Sequence, residues 1–179
     1  QHRWTPDYVF PPLAGEYRAL RQALGKPPAP LTAIVTASGQ VDLGLPVFRA
    51  GAAPVLLITT AAALDRLPLT NLPPGVSAVA AGSGPTLTAR EVLDAVMAAG
   101  GGDTVLLEAG PRLMAQFLDQ GQVDELFLTL SPQIAGRVGP PERPGFAMGV
   151  AFAPDRPLWT HLVDVRRGGS HLFLRYALS

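Results

Sequence analysis

Short apolar runs alternate with amphipathic segments along the first part of this chain. Runs of strand length predict buried strands at residues 31–36, 54–60 and 76–80. A short helix is predicted between the second and third strands, at 61–67. Strands separated by helices at this spacing favour parallel βαβ units with helices on both faces of the sheet.

Two helices carry clear boundary signals. The first is preceded by residues 1–12, which contain three prolines and no periodicity and therefore predict an extended arm or loop. Its apolar side chains then recur at helical spacing, at Leu13, Tyr17, Leu20 and Leu24, before a Gly-Lys-Pro-Pro stop. The second begins at the capping box Thr88-Ala89-Arg90-Glu91 and ends at three consecutive glycines, 100–102.

A strand, a turn and a helix start follow one another within residues 104–114. The apolar run that ends at Glu108 predicts a buried strand, Gly110 allows a tight turn, and Pro111 suits the first position of a helix. Ligands of open α/β sheets lie beyond the carboxyl ends of the strands, and the amide groups that open a helix attract anions. We therefore expect Glu108 and the amides of residues 110–113 to share a ligand crevice.

The last third has a different pattern. A strand is predicted at 124–130, and residues 136–157, rich in Gly and Pro, form either a flap over a ligand or a simple connection. Two alternating segments, 158–165 and 171–178, predict a closing antiparallel hairpin. A turn at Gly168-Gly169 would place His171 opposite Arg166 and His161 opposite Tyr176. The two imidazoles would then not meet, which disfavours a metal site.

Composition narrows the possible functions. The 179 residues suit one domain, and 14 basic against 14 acidic residues favour neither nucleic acid nor a membrane surface as a partner. A small-molecule ligand is the better expectation. The chain has no cysteine, which excludes thiol catalysis and disulfides and suggests a cytoplasmic protein. It begins without Met or a signal peptide, so we expect it to start within a longer protein.

Three segments in this order resemble the reductase domain of the bacterial riboflavin-biosynthesis deaminase/reductase family, whose fold is similar to dihydrofolate reductase. They are Val-Leu-Leu-Glu-Ala-Gly-Pro-Arg-Leu at 105–113, Gly-Gln-Val-Asp-Glu-Leu-Phe-Leu-Thr-Leu-Ser-Pro at 121–132 and Leu-Phe-Leu-Arg-Tyr at 172–176. The resemblance runs from about residue 31 to residue 178. It implies an α/β fold with a mostly parallel sheet, flanked by helices and finished by the C-terminal hairpin.

The resemblance also implies an activity. The family reduces a ribosylamino-pyrimidine with NADPH, opening the ribose ring to a ribityl chain, and it acts as a homodimer. By this resemblance Glu108 contacts the substrate. The residues implied at the cofactor are Thr36, Ser38, Gly82, Gly110, Pro111, Arg112 and Leu113.

The sequence departs from the family in two places. Ala109 stands at the first glycine of the usual Glu-Gly-Gly, where the backbone of the family could require a positive φ. The family's opening strand and substrate loop are not found in residues 1–179, so the chain is expected to be a single reductase-like domain that lacks them. A non-catalytic nucleotide-binding or assembly domain that retains the fold is the alternative.

Overall fold

The computed structural model describes residues 5–49, 51, 53–136 and 145–178. The chain divides into two compact units, Gln1–Leu106 and Leu107–Ser179. Among the described residues, the first contains a parallel three-stranded sheet with helices, and the second contains an antiparallel set of strands with one helix. Within the described ranges, none of the helices has the length and apolar character needed to cross a membrane.

The first unit opens with helical turns where an extended arm was expected. Pro6–Val9 forms α1, Pro11–Leu13 forms a 3-10 turn, and Ala14–Ala23 forms α2. The prediction of an extended arm or loop is therefore wrong for these helical turns. Proline at the start of a helical turn sacrifices no hydrogen bond, and Arg18 ties α2 back to Asp7 at 2.7 Å.

The parallel sheet confirms the three strands predicted from the apolar runs. β1 (Thr32–Val35), β2 (Val55–Thr59) and β3 (Val76–Ala80) lie in the order β1-β2-β3. The central strand β2 is buried along its whole length. Its residues Val55 and Leu57 pack with Val47, Phe48 and Leu67 in the core of this unit.

Two further helices follow strands of this sheet. α3 (Ala61–Leu64) is shorter than the predicted 61–67 and begins where the Thr60 side chain accepts a hydrogen bond from the Ala63 amide. α4 (Ala89–Ala98) begins at the predicted capping box, with both of its reciprocal hydrogen bonds formed. Further 3-10 turns span Pro46–Phe48 and Leu69–Asn71.

The second unit contains α5 (Pro111–Asp119) and the strands β4 (Glu125–Leu130), β5 (Thr160–Gly168) and β6 (His171–Leu178). Their order is β4-β6-β5, and both pairings are antiparallel. The βαβ spacing had suggested a parallel partner for β4. Instead all six of its residues pair with β6, so β4 extends the hairpin rather than a parallel sheet.

The prediction of a strand that ends at Glu108 is wrong. Residues 104–108 form neither strand nor helix, and Leu106 is 71% exposed. The apolar pattern described side chains suited to burial, but a strand also needs a neighbour that completes its backbone hydrogen bonds. No strand among the described residues pairs with this segment.

The predicted hairpin is present with a different register. Gly168 pairs with His171 and His161 pairs with Ala177, because the turn lies at Gly169-Ser170 and β5 bulges between Leu162 and Asp164. Gly169 adopts the positive φ that the turn requires. The expected pairs were therefore wrong, although the two histidines remain apart along the hairpin, as expected.

Candidate functional site

The loop that follows β1 holds two of the expected cofactor residues. The Thr36 amide donates to the carbonyl of Ile58 at 2.9 Å, which continues the β1–β2 pairing by one residue. The hydroxyls of Thr36 and Ser38 lie 3.5 Å apart, and the Gln40 amide donates to the Ser38 hydroxyl at 3.2 Å. Ser38 is exposed, so its hydroxyl faces solvent from a locally ordered turn.

Two buried threonines at the end of β2 fix this loop. The Thr59 hydroxyl donates to the carbonyl of Thr36 at 2.5 Å, and the Thr60 hydroxyl donates to the carbonyl of Ala37 at 3.2 Å. Both side chains are buried, so these bonds satisfy polar groups that water does not reach. From the sequence, Thr59 and Thr60 were predicted only as the end of a strand. The signal in the sequence that could have indicated their role is that two polar residues end an otherwise apolar run.

Gly82, which follows β3, is positioned by its neighbours. Its φ is +81°, and its carbonyl accepts a hydrogen bond from the Ala61 amide at 3.4 Å. The carboxylate of Glu91 lies beside it, close enough that a Cβ on Gly82 would be 2.3 Å from Oε1. The amide and hydroxyl of Thr88 donate to this carboxylate and hold the pKa of Glu91 below its ordinary value.

Gly82 also lines a cleft of about 470 Å³ between β3 and α4. Leu56, Val79 and the alanines of α4 make most of its wall apolar, and Glu91 and Asp94 contribute carboxylates. Negative side chains repel a phosphate, so this cleft is a poor place for the diphosphate of a dinucleotide. The expectation that Gly82 contacts the cofactor stays a prediction.

In the second unit, Glu108 and the start of α5 are adjacent in the chain. Glu108 is exposed, and no described residue hydrogen-bonds its carboxylate. Gly110 has φ −63° and ψ 160°, an extended conformation open to any residue. The expectation that the turn needs a glycine here is therefore wrong. No described residue other than glycine has a positive φ, so Ala109 fits here without strain.

The start of α5 offers backbone donors. Pro111 occupies the first helical position, as predicted, and the first bond of the helix runs from the Met114 amide to the Gly110 carbonyl at 3.0 Å. The amides of Arg112 and Leu113 precede that bond, so they have no partner within the helix. Arg112 is also exposed. These groups together favour an anionic ligand.

The described part of the Gly- and Pro-rich connection runs beside this helix. The Met148 amide donates to the carbonyl of Pro111 at 3.0 Å, and Arg156 pairs with Asp119 at 2.6 Å. These two contacts attach the segment to the first and the last turn of α5. Met148 therefore lies next to the residues proposed for the cofactor.

Most of the chain matches one protein family. The model of the RibD C-terminal domain matches residues 10–157, which include every candidate residue named above. The chain belongs to this family.

Solved structures of RibD-like proteins share the fold. A pyrimidine reductase-like protein from Corynebacterium diphtheriae matches with a TM-score of 0.69 and 24% identity, over 92% of this chain and 67% of the other. A deaminase/5-amino-6-(5-phosphoribosylamino)uracil reductase from Thermotoga maritima matches with a TM-score of 0.61 and 20% identity, over 84% of this chain and 38% of its own length. RibD from Acinetobacter baumannii matches with a TM-score of 0.60 and 18% identity, over 82% and 37%.

The chain thus spans less than two fifths of the length of these two RibD proteins. No curated protein matches it significantly. At identities below 25%, the structural likeness establishes the fold, whereas residue roles must be argued from this chain's own side chains.

Proposed function

We propose that this RibD-type domain is a reductase of the riboflavin pathway, which reduces a ribosylamino-pyrimidine or a related pyrimidine or pterin with NADPH. The family match over residues 10–157 carries the proposal. The names of the structural neighbours, a pyrimidine reductase-like protein and a uracil reductase, are consistent with it.

The donors of this chain suit a phosphorylated cofactor. In the second unit, the amides of Arg112 and Leu113, which have no partner within the helix, would hold anionic oxygens of such a cofactor. In the first unit, the exposed Ser38 hydroxyl can donate a hydrogen bond to it. When bound, NADPH supplies the hydride for the reduction. Since the hydride comes from the cofactor, the protein itself needs to bind and orient the reactants, and a chain with no cysteine nucleophile is suited to this task.

Glu108 is proposed to hold the substrate. Its exposed carboxylate can accept hydrogen bonds from the hydroxyls of a sugar or from an exocyclic amine, both of which a ribosylamino-pyrimidine carries. A carboxylate next to a ring-opening sugar also stabilises positive charge that develops on the sugar. This role requires the ionised form of Glu108.

We also propose that the protein acts as a cytoplasmic homodimer through one face of the antiparallel sheet. Phe127 is 68% exposed and Phe173 is 46% exposed, and they lie on the same face because their strands pair in register. The face also carries Glu125, Asp164, Arg166 and Arg175. Arg166 pairs with Asp164 and Arg175 pairs with Glu125 within the chain, so a second copy could bury the rings while these four charges stay paired. The cysteine-free composition agrees with a cytoplasmic location.

One observation favours the alternative of a non-catalytic nucleotide-binding domain. Residues 104–108 form no strand, so Glu108 is not held on a rigid element. A carboxylate on irregular backbone binds a substrate less precisely than one fixed at the end of a strand.

Titration with NADPH, followed by its fluorescence, separates these proposals. The reductase is expected to bind NADPH and to oxidise it when 5-amino-6-(5-phosphoribosylamino)uracil is added. Binding without turnover on any pyrimidine or pterin would favour the alternative. Failure to bind either NADPH or NADH would overturn both.

A further inference from the structure

Arg66 reaches the loop that carries Ser38 from a different element. It follows α3, and its Nη2 donates to the carbonyl of Ser38 at 3.2 Å. The residue is exposed, and no ion pair among the described residues includes it. A guanidinium has five N–H donors, so this one bond leaves donors that face solvent beside the loop.

The loop is a fixed support for this cation. Thr59 and Thr60 hold the carbonyls of Thr36 and Ala37 from beneath, and their side chains are buried. Gly39 packs against α3, since a Cβ there would lie 2.9 Å from the carbonyl of Ala63. The backbone on which Ser38 and Arg66 meet is therefore constrained from two sides.

The polar groups gathered at this turn suit a phosphate monoester. The hydroxyls of Thr36 and Ser38 lie 3.5 Å apart, and Arg66 contributes a permanent positive charge. A dianionic phosphate gains strong charge-assisted bonds from a guanidinium, whereas a neutral ribose hydroxyl gains little. An arginine near the ribose is a common way for proteins to accept the 2′-phosphate that distinguishes NADP from NAD.

We propose that Arg66, together with the Ser38 hydroxyl, binds the 2′-phosphate of the cofactor and so makes the protein prefer NADPH over NADH. This inference rests on the proposed cofactor role of the loop. It adds a specificity residue for which the sequence carried no motif. Arg66 acts by direct contact with the phosphate, and its bond to Ser38 orients it.

The test measures binding of NADPH and NADH by fluorescence to the wild-type chain and to Arg66→Ala and Arg66→Lys. Arg66→Ala is expected to weaken NADPH binding by about 10- to 100-fold and to change NADH binding by less than about twofold. Arg66→Lys keeps the charge but loses the planar fork, so its affinity for NADPH should lie between those of the wild-type chain and Arg66→Ala. Arg21→Ala is the matched control, because Arg21 also donates to a backbone carbonyl in the same unit, that of Pro27 at 2.7 Å.

The outcomes distinguish this inference from the proposed function. Equal loss of NADPH and NADH affinity in Arg66→Ala would overturn the inference, because it would mean that Arg66 only holds the loop. Unchanged NADPH affinity would overturn it too, while the proposed function would stand. If the wild-type chain bound neither dinucleotide, the proposed cofactor would be wrong and the inference would fall with it. Thermal unfolding of each variant shows whether a loss of binding reflects a loss of folding.

Discussion

Gly82 and the carboxylate of Glu91 lie so close together in the first unit that residue 82 has no room for a side chain. A Cβ on Gly82 would lie 2.3 Å from Oε1 of Glu91 and 2.9 Å from Oε2. The carboxylate cannot withdraw without leaving Thr88, whose amide and hydroxyl donate to it at 2.8 and 2.9 Å. The glycine after β3 and the capping box of α4 are thus parts of one arrangement.

Gly82→Ala should therefore destabilise the protein more than Gly100→Ala. Both glycines have a positive φ, +81° and +79°, so alanine adds similar backbone strain of about 1–2 kcal/mol at each. Only at Gly82 does the new methyl group also displace Glu91, since nothing lies within 4 Å of a Cβ on Gly100. The free energy of unfolding in urea measures the difference.

Removing the carboxylate supplies the control for this comparison. In a Glu91→Ala background the added methyl group has room, so Gly82→Ala and Gly100→Ala should then cost the same. A difference that persisted in that background would show that Glu91 is not the cause.

The capping box should also make stability depend on pH. Hydrogen bonds from Thr88 lower the pKa of Glu91 below its ordinary 4.5. A carboxyl group whose pKa is lower in the folded state stabilises the fold fully above the unfolded pKa, and this contribution is lost as the pH falls through the folded pKa. We expect Glu91→Gln, which can still accept the Thr88 amide bond but does not titrate, to lose less stability than wild type between about pH 6 and about pH 3.

Urea unfolding at a series of pH values measures this effect. Some pH dependence should remain in the variant, because hydrogen bonds from Arg18, Lys26 and Arg175 lower the pKa values of Asp7, Asp103 and Glu125. Identical pH profiles for wild type and Glu91→Gln would contradict the prediction.

Glu108→Gln tests the substrate role of the exposed carboxylate. The substitution keeps the size of the side chain and removes its charge, so kcat should fall by at least about tenfold while the Kd for NADPH changes by less than about twofold. Steady-state kinetics and NADPH titration measure the two quantities. Asp124→Asn, at an exposed acid in the same unit, is the control and should change neither. Equal losses of turnover and NADPH affinity would contradict a role confined to the substrate.

Phe127→Ser tests the proposed homodimer. The ring is 68% exposed and stacks loosely on Arg175, so its removal should weaken self-association with little effect on the fold. Sedimentation across a concentration series measures the association. Leu128→Ser, on the opposite face of the same strand, is the matched control and should leave the dimer intact. A dimer unaffected by Phe127→Ser would place the interface elsewhere, and a wild-type monomer would remove the proposal.

The elements that could be predicted from the sequence are those with local signals. The capping box at Thr88 fixed the start of α4, and the apolar run before Thr60 fixed β2, because both depend on neighbouring residues. The strand prediction for residues 104–108 was wrong for the opposite reason. Their apolar pattern is that of a buried strand, but pairing depends on a distant segment, which local pattern does not reveal.

The candidate site was predictable in part for the same reason. Pro111 at the start of α5 follows from a preference of the first helical turn. Arg66 could not be predicted, since an arginine in an ordinary turn has no motif and its meeting with Ser38 depends on tertiary structure. The role of Gly110 was misjudged because glycine suggests a special backbone conformation even where an ordinary one is used.

The bulge between Leu162 and Asp164 has a consequence for how this hairpin tolerates change. Val163 is the extra residue of the bulge, so Asp164 rather than Val163 pairs with Arg175. Deleting Val163 would remove the bulge and leave the pairs on both sides of it unchanged, because Leu162 and Asp164 already pair with consecutive residues of β6, Tyr176 and Arg175. Position 163 is therefore where a lineage of such chains can lose a residue from this strand without rebuilding the sheet.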